Sequence, residues 1–390
     1  MLYRKDDADK MHLSIVIPTY NEKVNVGKIT DKIRSVLAAE DYSYEILFMD
    51  DSSDDTPTVL KQLTRQYHEI CYIHRNNERG LASAVVEGFN QSKGDYIIVM
   101  DADLQHPPEL IPLIMKRLTR ADIVIPSRFI EGGSDGGLNW LRKLISWTAR
   151  SIGRLSIKRL RPISDCTSGY FGLKRQVLTA ADLNPIGWKI LMEVLVKGNY
   201  ESVHEIPYSF VARDAGQSKM DLREQLNYIK HIARLVVNSP EDCRFFSFCL
   251  IGALGVLVNI ACFAMLINLF QLNGLIGSLG ASLLAMLHNF IWNDKVTWKR
   301  CQQPIGWRRL IKLPMFMTIC GFGIALTALF AQIFIWQYWN IYLGQLTGII
   351  IATCWTYTAN SRWTWPNSVK DNAINHNRLI VTQEYAGKLS

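Results

Sequence analysis

The sequence predicts two units of different class: an α/β domain on a mostly parallel sheet, followed by an all-α domain of four membrane-spanning helices. Two observations carry this. Ahead of about residue 240 apolar runs are short and charges frequent, whereas Phe245 to Asn293 and Leu313 to Ser361 contain no Asp, Glu, Lys or Arg. Within the first part, short β-branched runs alternate with helix-length amphipathic stretches, the pattern of a parallel sheet covered by helices.

In the first part strands are expected at Leu13 to Ile17, Glu45 to Met49, Cys71 to His74, Asp95 to Met100 and Asp122 to Ile125. Helices are expected near 24 to 38, 56 to 67, 80 to 91 and 108 to 118. Pro57 and the Pro107-Pro108 pair mark two helix starts, because proline is tolerated in the first turn. In such sheets ligands gather at the carboxyl ends of the strands, so the residues just after each strand carry most of the functional weight.

Each charge-free stretch is too long for one span, since ~20 apolar residues cross the hydrocarbon, and each therefore reads as a helical hairpin. The expected spans are 246 to 270, 274 to 292, 314 to 337 and 341 to 359, with polar breaks at Gln271 to Gly274 and Gln337 to Asn340. The loop between the hairpins holds Lys295, Lys299, Arg300, Arg308, Arg309 and Lys312 against Asp294. The positive-inside tendency makes that loop cytosolic, and an even number of spans puts the α/β domain and the C-terminal segment there too. The polar Met1 to His12 segment does not read as a cleavable signal. The expected organisation is 1–219 for the α/β domain, 220–244 for juxtamembrane helices, 245–365 for the membrane domain and 366–390 for a polar cytosolic tail.

The membrane half repeats itself at an offset of 67 to 68 residues. Arg244, Phe248, Ile251 and Gly255 align with Lys312, Phe316, Ile319 and Gly323, and Asn293-Asp294-Lys295-Val296-Thr297-Trp298 with Asn360-Ser361-Arg362-Trp363-Thr364-Trp365. Tryptophan and basic residues at those ends are expected to anchor in the membrane interface. The eight cysteines form no CxxC pair and no zinc-finger spacing. The net charge of +8 is concentrated beside the membrane segments and in one helix-like stretch, which fits anionic lipid and not nucleic acid.

The first strand runs into Pro18-Thr19-Tyr20-Asn21-Glu22 and the second into Asp50-Asp51-Ser52-Ser53-Asp54. Carboxylates there can accept from ribose hydroxyls or a base N–H, and Pro18 with Tyr20 can wall a base. The fourth strand ends in Met100-Asp101-Ala102-Asp103-Leu104-Gln105. Alternation projects Asp101 and Asp103 to one side, and Gln105 adds a neutral oxygen. Hard oxygen ligands suit Mg²⁺ or Mn²⁺, which would bridge a diphosphate and neutralise a departing nucleoside diphosphate.

PTYNE, DDSSDDT, RGLASA, MDADLQHPPE, PSR, DCTSGYFGL and RDAGQSK occur in the order seen in dolichol-phosphate mannosyltransferases and related polyprenyl-phosphate glycosyltransferases, which this chain resembles over roughly residues 12 to 220. The resemblance implies a GT-A-type nucleotide-sugar-binding fold and inverting transfer. It assigns Pro18, Tyr20, Glu22 and Asp51 to the nucleotide, and Asp101, Asp103 and Gln105 to metal and diphosphate, with Asp103 a catalytic candidate. The repeated half resembles a small four-span family associated with polyprenyl-linked sugars. GDP-mannose is the favoured donor and UDP-glucose the alternative; a homo-oligomer stays open.

For the acceptor, the acid-free stretch Asn139 to Arg161 interleaves Trp140, Leu141, Leu144, Ile145 and Trp147 with basic residues, as in a helix lying on a membrane surface. Arg128 follows the fifth strand, and Arg142 and Ser146 share a helix face. The family places its lipid-phosphate site at matching positions, and guanidinium groups can hold phosphate by paired hydrogen bonds. Asp165 is a candidate for sugar contact or base, although a phosphate monoester is already anionic near neutral pH and can attack without one. Arg213 and Lys219 are expected over the diphosphate on a glycine-containing loop, and Trp188 and Glu193 near the donor sugar. A processive polysaccharide synthase is disfavoured because no QxxRW-type motif is present, and a flippase role because the spans lack charged midplane residues.

Overall fold

The computed structural model describes residues 12–76, 80–134, 136, 140–209, 222–299, 311–366 and 379–383, apart from the side chains of 140–145, 222, 223, 240 and 341. It divides into two compact units, 1–236 with 376–390, and 237–375.

The first unit is built on an eight-stranded sheet. Its strands are β1 (His12–Thr19), β2 (Ser43–Asp50), β3 (Ile70–His74), β4 (Tyr96–Val99), β5 (Ile123–Ser127), β6 (Phe171–Lys174), β7 (Ser202–Pro207) and β8 (Ile380–Gln383), in the order β3-β2-β1-β4-β6-β5-β7-β8. β6 runs antiparallel to both β4 and β5, and the other pairs are parallel. The period of two sends Val16 into one apolar layer and Leu13, Ile15 and Ile17 into the other, so β1 is buried on both faces.

The helices α1 (Val26–Leu37), α2 (Thr56–Gln66), α3 (Leu81–Gln91) and α4 (Ile111–Leu118) follow the expected stretches. α3 presses closely on the sheet: a Cβ at Gly88 would lie 2.3 Å from Val16 Cγ1. Beyond β5 come α5 (Trp140–Ser156), α6 (Ile190–Lys197) and α7 (Leu222–Asn238). Strands β6, β7 and β8 are absent from the expected set. β6 has four residues only, and β8 falls within the stretch expected to be a polar tail. Too few residues alternate there for a pattern to show, and pairing partners remote in sequence decide the conformation.

The second unit holds α8 (Pro240–Asn268), α9 (Gly274–Trp292), α10 (Lys312–Trp336) and α11 (Ile341–Ala359). Among the described residues three segments, Glu241–Asn268, Gly274–Thr297 and Lys312–Trp336, are long and apolar enough to cross a membrane. The fourth expected span is the 19-residue α11, whose Gln345 and four threonines lower its hydropathy. Those threonines return their hydroxyls to carbonyls four residues back, as Thr347 does to Leu343 O at 2.8 Å and Thr358 to Cys354 O at 2.7 Å.

The internal repeat recurs in the packing. Gly255 faces Asn289 and Gly323 faces Thr356, with a Cβ on either glycine meeting its neighbour below 3 Å. Both repeats end in a π-helical turn, Asn293–Thr297 and Asn360–Thr364. In each the threonine hydroxyl donates to the asparagine side chain at 2.7 Å. Trp298 and Trp365 stack with centroids 4.3 Å apart and planes 6° from parallel, and Trp365 Nε1 donates to Asp294 Oδ1 at 2.8 Å. Both indoles are buried, so they bind the two repeats to each other and are not the interfacial anchors expected from composition.

Candidate active site

The carboxyl ends of β1, β2 and β4 lie side by side, bringing the expected nucleotide and metal segments together. Asp50, fully buried, accepts from Thr19 Oγ1 at 3.0 Å and Ser52 Oγ at 2.5 Å, and faces His74 Nδ1 at 2.6 Å. Asp51 is chelated by Arg75, with Nε to Oδ1 at 2.7 Å and Nη2 to Oδ2 at 2.6 Å, and also accepts from Gly80 N–H at 3.0 Å. Such a two-pronged pair fixes the turn after β2 against the start of α3. Asn21, in the left-handed region at φ 60°, receives Ser53 N–H at 2.9 Å and gives its own N–H to Ser52 Oγ at 2.8 Å, locking the two strand ends. Tyr20 beside it is exposed, and the Glu22 side chain accepts from Asn25 Nδ2 at 2.7 Å.

Asp101, Asp103 and Gln105 are half-buried on the turn after β4, where Leu104 takes φ 63° and Gln105 N–H donates to Asp103 Oδ1 at 3.1 Å. A Cβ at Gly169 would stand 3.1 Å from Asp101 Oδ2, so that glycine keeps space beside the carboxylate. Among the described residues no three His, Cys, Asp or Glu side chains converge as a preformed cage. Two carboxylates plus an amide oxygen instead fit a divalent cation that completes its shell with phosphate oxygens and water, the usual arrangement for Mg²⁺. His106 supports the turn: Asp101 N–H donates to its Nδ1 at 3.0 Å, which therefore carries no proton, and its ring stacks on Tyr170 at 5.1 Å. The 3.7 Å separation of that nitrogen from Asp101 Oδ2 is accordingly not an ion pair.

Arg128, just after β5, donates Nε to Asp165 Oδ2 at 3.1 Å and Nη2 to Oδ1 at 3.4 Å. Asp165 is fully buried, and Thr167 Oγ1 also donates to it at 3.4 Å. Two further cations share this neighbourhood. Arg150, on α5 one turn beyond Ser146, lays its guanidinium 3.3 Å from the Phe129 ring centre and donates to Ser164 O at 3.1 Å. Its Nε is buried with no hydrogen-bond partner among the described residues. Lys189 precedes the first turn of α6 and donates to Thr167 O at 3.3 Å. Burial, and then Arg128, hold its ammonium below the ordinary lysine range against the pull of Asp165 and Asp101. A lysine at a helix N-terminus is further disfavoured by the helix dipole. Arg128, Arg150 and Lys189 thus gather beside the buried Asp165, and such a set of basic side chains suits an anion.

The glycosyl transferase family 2 model matches residues 14–180, and the GtrA/DPMS transmembrane domain model matches residues 247–365. A dolichol-phosphate mannosyltransferase of Pyrococcus furiosus is 36% identical over 356 residues, covering 91% of this chain and 99% of that relative. The chain belongs to the dolichol-phosphate mannosyltransferase family. The Saccharomyces cerevisiae dolichol-phosphate mannosyltransferase is 34% identical over 235 residues, 57% of this chain and 86% of its own. Among solved structures, glucosyl-3-phosphoglycerate synthase from Mycobacterium tuberculosis with Mn²⁺, UDP and glucosyl-3-phosphoglycerate is 16% identical at a TM-score of 0.44, covering 60% of this chain and 80% of that one.

In this member of the dolichol-phosphate mannosyltransferase family, the side chain of Arg142 and the whole of Arg213 and Lys219 lie outside the described residues. Ser146 is half-buried on α5. Trp188 is exposed, next to Lys189. Glu193, expected near the donor sugar, is fully buried on α6 and accepts from Lys197 Nζ at 2.6 Å and Asn184 N–H at 2.8 Å, with His231 Nε2 at 2.7 Å. Burial pushes its carboxyl up, but those partners hold it down to about 2. It braces α6 against α7, with Oε1 accepting from Asn184 and Lys197 and Oε2 facing His231. From sequence Arg150 reads only as one of the basic residues of the membrane-facing stretch, and Lys189 and Glu205 are not singled out. Arg150 continues the 142, 146 face at helical spacing, a signal that was present; Lys189 and Glu205 have none, because their partners come from other elements.

Proposed function

We propose that the chain transfers mannose from GDP-mannose to a polyprenyl phosphate, with inversion, at the cytosolic face of the membrane. The observation that carries this is the juxtaposition of a two-carboxylate turn after β4 with the Arg128, Arg150 and Lys189 cluster, which suits two phosphate-bearing substrates meeting. The family relatives named dolichol-phosphate mannosyltransferase support the donor and the acceptor class.

Asp101, Asp103 and Gln105 would hold Mg²⁺ or Mn²⁺ against the donor diphosphate, and the ion supplies charge neutralisation for the departing nucleoside diphosphate. Tyr20, Glu22 and the Asp51 turn receive the nucleoside. Arg128, Arg142 and Ser146 orient the acceptor phosphate, and Lys189 adds a cation between it and the strand-tip carboxylates. A phosphate oxygen then forms the bond to C1 of the sugar while the C1–O bond to the β-phosphate breaks, its electron pair leaving with GDP. No proton has to be removed from the nucleophile. Asp165, enclosed by Arg128 and Thr167, acts as the support that aims Arg128. Exposed Trp147 (60%) and Leu155 (76%) on α5 fit contact with a lipid surface. The basic 294–312 loop supports the cytosolic assignment and α11 the fourth span.

The test is radiolabel transfer to a polyprenyl phosphate from GDP-mannose, UDP-glucose and UDP-GlcNAc in parallel. Label should reach lipid from GDP-mannose in a divalent-cation-dependent manner; label only from a UDP-sugar, or transfer undiminished in excess chelator, would overturn the donor or the metal assignment.

A further inference from the structure

The first unit takes its eighth strand from the far end of the chain, after the whole membrane unit. β8 lies parallel to β7 with Ile380 opposite Ser202 and Gln383 opposite Glu205. Ile380 N–H donates to Glu201 O at 3.0 Å, and Thr382 Oγ1 meets His204 Nδ1 at 2.6 Å. Leu379 and Val381 pack on the apolar layer that also contains Ile123, Ile125 and Val203.

The last described residue of the strand reaches toward the active site. Gln383 Nε2 donates to Glu205 Oε2 at 3.1 Å and to Ser164 Oγ at 3.0 Å, which uses both of its amide hydrogens. Glu205 is fully buried and accepts Ser164 N–H at 3.0 Å and Asp165 N–H at 3.1 Å. Among the described residues all its partners are neutral donors. A buried carboxylate without a counter-ion depends on every such donor, because each replaces part of its lost hydration. The same turn carries the Asp165 carboxylate that clamps Arg128. An unbroken series of hydrogen bonds therefore runs from Gln383 through Glu205 and the Ser164-Asp165 backbone to Arg128.

We propose that Gln383 is a positioning residue for the acceptor phosphate, acting through Glu205 and the Asp165 turn, so that the C-terminal strand completes the catalytic machinery. The inference rests on Arg128 holding that phosphate, as in the proposed function. The simpler alternative is that β8 only covers the sheet edge, a protection many proteins need. Backbone pairing would then suffice and the Gln383 side chain would be dispensable.

The full chain in detergent micelles separates the two, using Gln383→Ala and a chain ending at residue 378. Hydrogen exchange at the Ser164 and Asp165 amides should quicken by about tenfold in Gln383→Ala, as local opening becomes easier. The KM for a short isoprenyl phosphate should rise by about tenfold, in the range seen for residues that orient a primary ligand, while the GDP-mannose KM stays within about twofold. A peptide of residues 376–390 added to the shortened chain should restore acceptor use, and the same peptide with Gln383→Ala should not. Unchanged exchange with an unchanged acceptor KM, or parallel rises in both KM values, would overturn the Gln383 role while leaving the transferase reading standing. A wild type that moves no sugar to the isoprenyl phosphate would overturn the transferase reading, and the acceptor role of Gln383 with it.

Discussion

In the α/β unit buried carboxylates draw most of their partners from distant segments, whereas the membrane helices satisfy neutral hydroxyls largely from their own backbone. Asp51 is held by Arg75, Asp165 by Arg128, Glu193 by His231 and Lys197, and Glu205 by the Ser164-Asp165 turn and Gln383. In the second unit Thr318, Thr327 and the α11 threonines return their hydroxyls to carbonyls four residues back. The difference follows from what surrounds each unit. Charged side chains fixed inside a folded domain need long-range partners to aim them, while a helix in hydrocarbon cannot leave a polar group for solvent to satisfy.

The sharpest way to break this contrast is at the tip of β4. If Asp103 holds the metal as proposed, Asp103→Ala should lower sugar transfer by at least about 10³-fold while melting temperature and membrane association stay nearly unchanged, since within the fold the half-buried carboxylate accepts the Gln105 N–H of its own turn. Wild-type turnover would remove the metal from the scheme.

Glu193 tests the opposite role, charge used for architecture. Glu193→Ala should destabilise the chain by about 3–5 kcal/mol in chemical denaturation, because it leaves Lys197 without its carboxylate and takes away the buried hydrogen-bond partner of His231. Its carboxyl is held at about 2, below the ordinary 4.5, so its contribution is complete above about pH 4.5 and fades as pH falls toward 2. The variant should lose that part of the acid dependence; an unchanged acid profile would show that the pair does not stabilise the fold.

Lys189→Met sharpens the comparison within the site. If Lys189 serves the acceptor phosphate as proposed, losing that charge-assisted hydrogen bond should raise the acceptor KM by about 10- to 100-fold, with nucleotide affinity measured by calorimetry nearly unchanged. A matching loss of nucleotide affinity would move Lys189 to the donor side.

The smallest effects belong to the duplicated π-turns. Thr297→Val and Thr364→Val each remove one buried hydrogen bond to an asparagine and should each cost about 1 kcal/mol in detergent unfolding. Unequal costs would show that the two repeats have diverged in energy while keeping one geometry.

The five strands and four helices from residue 13 to 125, the apolar segments and the paired N-x-[K/R]-x-T-W ends were all legible in the sequence. Each depends on local periodicity or on contiguous absence of charge, and both are written along the chain. The Asp101-Asp103 turn was legible for the same reason, because a strand end fixes where its next residues emerge.

What only tertiary structure decided is which groups meet across the chain. That Arg128 closes on Asp165, that Glu193 braces α6 against α7, that two tryptophans bury each other, and that Gln383 returns to hold the Asp165 turn are contacts between residues separated by 37 to 219 positions, or by a helix packing angle. Local pattern determines which face of an element is apolar and where its ends lie. The pairing of a buried charge is set by desolvation, which exists only once the chain has closed around it.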